Sequence, residues 1–195
     1  MKRVYAEKLA HEGKLRMGNL TYYRQLEDEH LGDENEGLGL YYVDDRPMQT
    51  ESINKTYVWC SSLPSVSRER MQEFALSSGY DCRLVINNPL EFIRRVNKVI
   101  PAHFYLHIGC VRYDRGNAIS KELLNRQKFD FQLFQKDAAF SDQDEYRIAA
   151  IDNPYSSLSD ADEQEHIARA QGECCRLPLD LSLGNCDDIM SIEVM

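Results

Sequence analysis

The sequence predicts an α+β fold: a mixed, mainly antiparallel sheet with flanking helices, in a single domain over residues 1–195. Three observations predict it. Short runs of strand character outnumber amphipathic helical stretches. Strands and helices do not alternate strictly, as a doubly wound parallel sheet requires. A length of 195 residues at 43% hydrophobic suits one core. There is no internal repeat and no low-complexity tract.

The elements follow in order. Residues 4–12 read as a short helix ended by Gly13. Residues 14–17 suit a short strand. Asn19 can cap a second helix, with Leu20, Tyr23 and Leu26 on one stripe. The acidic stretch 27–37 contains Gly32 and Gly37 and reads as a loop, and 38–43 return to strand character. Residues 56–61, TYVWCS, form a buried strand. Residues 67–78 form a helix, capped by Ser65 or Ser67 and closed by Gly79. Residues 82–86 are a strand. Asn88-Pro89 opens a helix through Ile100, with proline in the first turn, where its missing N–H costs nothing. Leu90, Ile93, Val96 and Ile100 are close to helical spacing on it. A long strand at 103–113, a weak helix at 120–126 and a strand or extended run at 129–134 come next. Residues 146–151 are a strand. Residues 159–170 are a helix with Ser159 as cap and acids in its first turn. Strands at 174–177 and 189–194 complete the chain.

Composition narrows the function classes. The net charge is −9 and the pI about 5.1, which disfavours direct binding to duplex DNA or to an anionic membrane. Arg94, Arg95 and Lys98, the one basic patch, sit at helical spacing and read as a solvated face. No apolar run approaches the length of a membrane span, and MKRVYAEKLA lacks a cleavable apolar region. Cys60, Cys82 and Cys110 lie in apolar strand-like runs. Cys174, Cys175 and Cys186 complete the six, and no CxxC pair points to zinc. Buried free thiols in a reducing cytoplasm are the expectation.

Chemistry is concentrated in three segments. In 13–37, Arg16, Tyr22, Tyr23 and Arg24 precede a stretch in which six of the ten residues from Glu27 to Glu36 are acidic. Two cations and two aromatics suit an anionic, ring-bearing ligand. The acids can orient those cations or hold a divalent metal, but the EF-hand pattern is absent. GDENEG therefore reads as a solvated acidic turn, and no metal site is assigned. Glu27 is placed to pair with Arg24.

In 140–150, FSDQDEYRIAA, strand alternation sends Gln143, Glu145 and Arg147 one way. It sends Tyr146, Ile148 and Ala150 the other way, as the core face. On this segment alone the favoured reading is a solvated face with a Glu145–Arg147 pair. The sharper one is a catalytic Glu145 with Gln143 as a substrate-orienting partner. In the third segment Ser61 and Ser62 follow a buried strand and sit at its mouth, where a hydroxyl can position a ribose or phosphate. Ordinary turn chemistry is the bland alternative, and Cys60 reads as core. His103 and His107 lie about 13 Å apart along a strand, too far for one metal, and read as structural.

These pieces together carry a resemblance. "GKLRMGNLTYYRQLED…GDENEG", a strand ending "WCSS", and "FQKDAAFSDQDEYRI" resemble a broad family of uncharacterised bacterial and phage proteins. That family's late element, K-x-x-x-[WF]-x-x-E-x-E-[YF]-R, is matched by Lys136, Phe140, Glu145, Tyr146 and Arg147, with Gln143 where an acid or Gln is usual. The turn reads GDENEG where the family has an Asn-Asp-Pro-like form. The order of parts is also similar to that of ADP-ribosyltransferases. Those present an Arg (or His) on an early strand, a Ser-Thr-Ser-like strand end, and a Gln/Glu-x-Glu near a late strand. Here Arg16, Cys60-Ser61-Ser62 and Gln143-x-Glu145 fall in that order. The resemblance implies NAD as a substrate, with Arg16 on its phosphate or ribose and Ser61 supporting the nicotinamide ribose. It implies Glu145 stabilising the oxocarbenium-like centre through a ribose hydroxyl. Tyr22 or Tyr23 would stack on nicotinamide, and Ser62 belongs to the same binding set.

Three readings compete. The first is an NAD-using ADP-ribosyltransferase-like or glycohydrolase-like protein in a phage–host conflict. It would act on a protein target, with a nucleic-acid-handling complex among the options. The second is a non-enzymatic acidic protein, such as an anti-defence inhibitor, that blocks a basic partner surface. The third, a metal-dependent nuclease using the acidic cluster with Glu145, ranks last, because no Lys stands at the spacing such sites use beside paired carboxylates.

Overall fold

A computed structural model describes residues 1–23, 33, 35–43, 46–51, 55–116, 131–152 and 177–195. The helices expected at 120–126 and 159–170, nearly all of the expected strand at 174–177, Arg24, Leu26, and the acids at 27–29 and 34 lie outside these residues. In chain order the elements are α1 (Arg3–Glu12), β1 (Lys14–Asn19), α2 (Leu20–Tyr23), β2 (Leu38–Val43), β3 (Arg46–Glu51), β4 (Thr56–Ser62) and α3 (Arg68–Ser78). Then come β5 (Cys82–Ile86), α4 (Pro89–Val99), β6 (Phe104–Cys110), β7 (Glu145–Asp152), β8 (Leu179–Ser182) and β9 (Met190–Val194). Two 3-10 helices, Phe131–Phe134 and Ala138–Gln143, precede β7. The class is α+β, and every strand ladder among the described residues is antiparallel. No described helix is long and apolar enough to cross a membrane.

The chain divides into two compact units. Unit 1 is Met1–Met17, Val66–Ala102 and Pro178–Met195. Its α1 ends because Gly13 takes φ +66°, with its N–H on the Leu9 and Lys8 carbonyls. A Cβ at Gly13 would stand 1.9 Å from the Gly184 carbonyl oxygen, so close backbone approach demands glycine there as well. The first four residues of β1 pair with β8, Leu15 opposite Leu181. β5 pairs with β9. Ser67 caps α3 by accepting from the Arg70 N–H at 3.1 Å, and Asn88 caps α4 by accepting from Glu91 N–H at 3.1 Å. On α4 the inward stripe is Phe92 and Val96, while Leu90 is exposed. The predicted stripe through Leu90 is thus rotated. Leu90 sits in the first turn beside the proline, and the i, i+4 pair Phe92–Val96 reaches the core.

Unit 2 is Gly18–Ser65 and His103–Leu177. Here β7 lies between β4 and β6, with Val58 opposite Ala149, Cys60 opposite Arg147 and Ser62 opposite Glu145. The last two residues of β1, Gly18 and Asn19, pair with Val58 and Tyr57 on the other side of β4. β2 and β3 form a separate hairpin. Val58, Ala149 and Ile151 pack with Leu20 and Leu133, flanked by Tyr23, Tyr105 and Phe134. Residues 131–134, expected to be extended, form a 3-10 turn instead, with Gln132 and Leu133 both buried. The strand expected over 103–113 is shorter. Past Cys110 the Val111 N–H donates to the Glu145 carbonyl, and Arg112 exchanges backbone bonds with Phe134 and Lys136.

Candidate functional site

The centre of unit 2 is ionic. Glu145 opens β7 and Arg147 follows it on the same side of the strand, the side that also carries Ala149 and Ile151 of the core. The expected solvated row is therefore wrong. Both side chains are buried, and Ile148 and Ala150 on the opposite side are buried too. Gln143 belongs to the preceding 3-10 helix, not to the strand. Charged groups tolerate such burial only when paired and hydrogen-bonded, and the partners come from distant parts of the chain. Glu36 N–H donates to the Asp33 carbonyl at 2.8 Å, and Asn35 N–H donates to Asp33 Oδ1 at 3.0 Å. Asp33 and Glu36 are both buried, which corrects the expectation of a solvated acidic turn at these two residues.

Arg147 donates from Nε to Glu145 Oε1 at 2.8 Å and from Nη1 to Glu36 Oε1 at 2.7 Å, and also to the Leu133 carbonyl. Lys136 Nζ donates to Glu145 Oε2 at 2.8 Å and to Gln143 Oε1 at 2.9 Å, and stands 3.7 Å from Glu36 Oε2. Beside this group Arg115 pairs with Asp33, Nη1 to Oδ1 at 2.9 Å, and reaches the Gln135 carbonyl at 2.9 Å. Three carboxylates (Asp33, Glu36, Glu145) thus meet three cations (Arg115, Lys136, Arg147), and the charges balance.

Burial works to raise the Glu145 pKa, but Arg147 and Lys136 outweigh it and hold the carboxyl at about 2. Burial likewise works to lower Arg147, and Glu36 and Glu145 push it well up. The Tyr113 hydroxyl accepts the Glu145 N–H at 2.8 Å, and burial pushes that phenol up to about 12. Cys60, expected in the core, retains exposed surface, because burial along β4 fades after Val58. Its thiol nonetheless lies in crowded surroundings beside Glu145. The crowding first, then the carboxylate, push it well above the usual value. Cys110 is also exposed, whereas Cys82 and Cys186 are buried, and all four are free thiols.

The predicted residues divide by unit. Glu145, Gln143 and Ser62 come together in unit 2: Ser62 is opposite Glu145 across the ladder and Lys136 joins Gln143 to Glu145, whereas Ser61 is opposite Tyr146 on the other side of the sheet, its Oγ donating to the Tyr146 carbonyl at 3.5 Å. Tyr23 packs against the core cluster with its ring over Gly18, where a Cβ would come within 2.5 Å of it. Burial pushes its phenol above the ordinary value. Tyr22 lies in α2, and its side chain is outside the described set. Arg16 belongs to unit 1, exposed, with Nε on Asp180 Oδ1 at 2.8 Å and Nη2 on Oδ2 at 3.0 Å. Sequence reasoning gave no role to Lys136, Arg115 or Tyr113, and placed Glu36 only among the acids of 27–36 that could orient cations or hold a metal. Lys136 was already marked as a match to the late motif, but nothing local separates Glu36 from the neighbouring Glu34. Among the described residues no group of His, Cys, Asp and Glu is arranged to hold a metal.

A scan against protein-family models finds no match, and searches of the curated proteins and of the solved structures find none.

Proposed function

We propose that unit 2 carries an NAD-using site of the ADP-ribosyltransferase-like or NAD-glycohydrolase-like kind, centred on Glu145. One observation carries the reading. Glu145, the residue the resemblance makes catalytic, is an ionised carboxylate locked in place at the start of β7, directly opposite Ser62. Departure of nicotinamide leaves positive charge on the ribose. A carboxylate kept ionised and fixed before reaction stabilises that charge without reorganising. Ser62 stands opposite it across the ladder, and Gln143 is tied to it through Lys136.

A specific observation favours the second reading, a non-enzymatic acidic binding protein. Both Glu145 oxygens already hold cations, and the residue is only 5% exposed. A carboxylate so engaged is also what a purely architectural ion cluster requires.

The deciding measurement is NAD binding and nicotinamide release by the purified protein beside Glu145→Gln, with thermal unfolding of both as control. Release by the wild type, lost in a folded variant, supports the NAD-using reading. Neither binding nor release by the wild type removes it. The next experiment is then a pull-down with the 27–36 carboxylates intact and neutralised.

A further inference from the structure

We infer that Lys136 is a positioning residue that fixes the orientation of the Glu145 carboxylate and the Gln143 amide as one unit, an inference that rests on the NAD-using reading. Simple charge balance does not require this arrangement. Arg147 already bonds Oε1 of Glu145 and Oε1 of Glu36. Lys136 takes the second oxygen of Glu145, so the carboxylate is held at both ends and its plane cannot turn. The same ammonium bonds Gln143, a neutral side chain on a different element.

Lys136 is itself anchored. Its N–H donates to the Arg112 carbonyl at 2.9 Å, its own carbonyl accepts from Arg115 N–H at 3.2 Å, and its ammonium lies 5.5 Å from the Phe140 ring centre. An ammonium has three donors on one point. It can serve Gln143 and Glu145 together while facing Glu36. Among the described residues, the charged and titratable groups around Glu145 include Arg147 on its own strand, Cys60 from β4, Lys136, Glu36, Tyr113 after β6 and Tyr23 from α2. Of the two cations that bond Glu145, Lys136 is the one that also reaches Gln143.

The test compares wild type with Lys136→Gln and Gln143→Leu, reading kcat and KM for NAD, the pH profile of kcat, and the unfolding midpoint. Misplacing a catalytic group costs up to about 100-fold in rate. The expected result is a kcat lower by about 10-fold or more in both variants, with KM within about threefold. In Lys136→Gln the acid limb of kcat moves to higher pH, because the carboxylate has lost a cation. Wild-type values in folded variants overturn the inference and leave the NAD-using reading standing. A loss that only tracks the folded fraction also overturns it, since that is a structural role. Should Lys136→Gln not fold, Gln143→Leu decides: a reduced kcat at unchanged KM supports positioning, and an unchanged kcat overturns it. A wild type that neither binds nor turns over NAD removes the NAD-using reading and this inference together.

Discussion

Arg16 and Asp180 in unit 1 meet at 2.8 Å with 67% and 60% of their side chains exposed, whereas Arg147 and Glu145 in unit 2 meet at the same 2.8 Å with 1% and 6% exposed. The distance is identical, and the consequences differ. Around the first pair water screens the attraction and solvates either partner left alone. Around the second, each ion has given up its hydration, and the surrounding hydrogen bonds must compensate for that loss. An exposed pair is dispensable. A buried one is a commitment: it adds little net stability, yet removing half of it leaves a charge with nowhere to go.

The largest expected effect tests that commitment. Arg147→Leu leaves Glu36 and Glu145 buried, with Lys136 as the cation the two share. Breaking a buried pair costs about 3–5 kcal/mol. For a chain of this length that lowers the thermal midpoint by roughly 6–20 °C. Calorimetry or thermal circular dichroism reads it. A drop of a degree or two would mean that the cluster is far wetter than its burial indicates, and the contrast between the units would collapse.

A smaller effect comes from pH. Glu145 has its folded pKa depressed to about 2, below an unfolded value of about 4.3. Its contribution to stability is therefore present above the unfolded value and is lost as pH falls through the folded one. Urea unfolding across that acid window should show stability falling with pH in the wild type and a shallower fall in Glu145→Gln. Acids of unit 1 with lowered pKa, such as Glu91 and Asp180, contribute to both proteins alike, so the difference isolates Glu145. Parallel curves would place Glu145 in an ordinary solvated setting.

The same contrast explains what was legible in the sequence. In unit 1 the signals were local. Gly13 and Gly79 closed helices, Ser67 and Asn88-Pro89 opened them, and the structure agrees within a residue or so. In unit 2 the strand at β7 was legible from its apolar run, but its sides were not. Alternation assigned Glu145 and Arg147 to solvent because polar residues usually go there. Their burial depends on Glu36 and Lys136, 109 and 9 residues from Glu145, and no local pattern announces such partners. The turn at 131–134 misled for a related reason: a short aromatic run fits a strand or a tight turn equally well, and packing decides. β3 and β8 were missed. β3 contains a proline, which weakens its strand signal, and β8 has only four residues.

The smallest structural effect is expected at Arg16, and there stability and function part company. Arg16→Ala and Asp180→Ala, singly and together, should leave the unfolding midpoint within the scatter of repeat measurements, because both side chains return to water whether or not they pair. Raising the salt concentration should erase what little coupling a double-mutant cycle detects. Affinity for NAD is the sharper readout. The resemblance assigns Arg16 to a dinucleotide phosphate, and Arg16→Ala tests that expectation by itself: it holds if NAD binding weakens by about 10-fold or more, the loss of one charge-assisted hydrogen bond to an anion. Asp180→Ala frees the guanidinium and leaves binding equal or tighter. Equal affinity in wild type and Arg16→Ala would leave Arg16 with no role beyond a solvated pair. The NAD-using reading is built on the buried carboxylate of unit 2, and that outcome leaves it to the Glu145→Gln comparison.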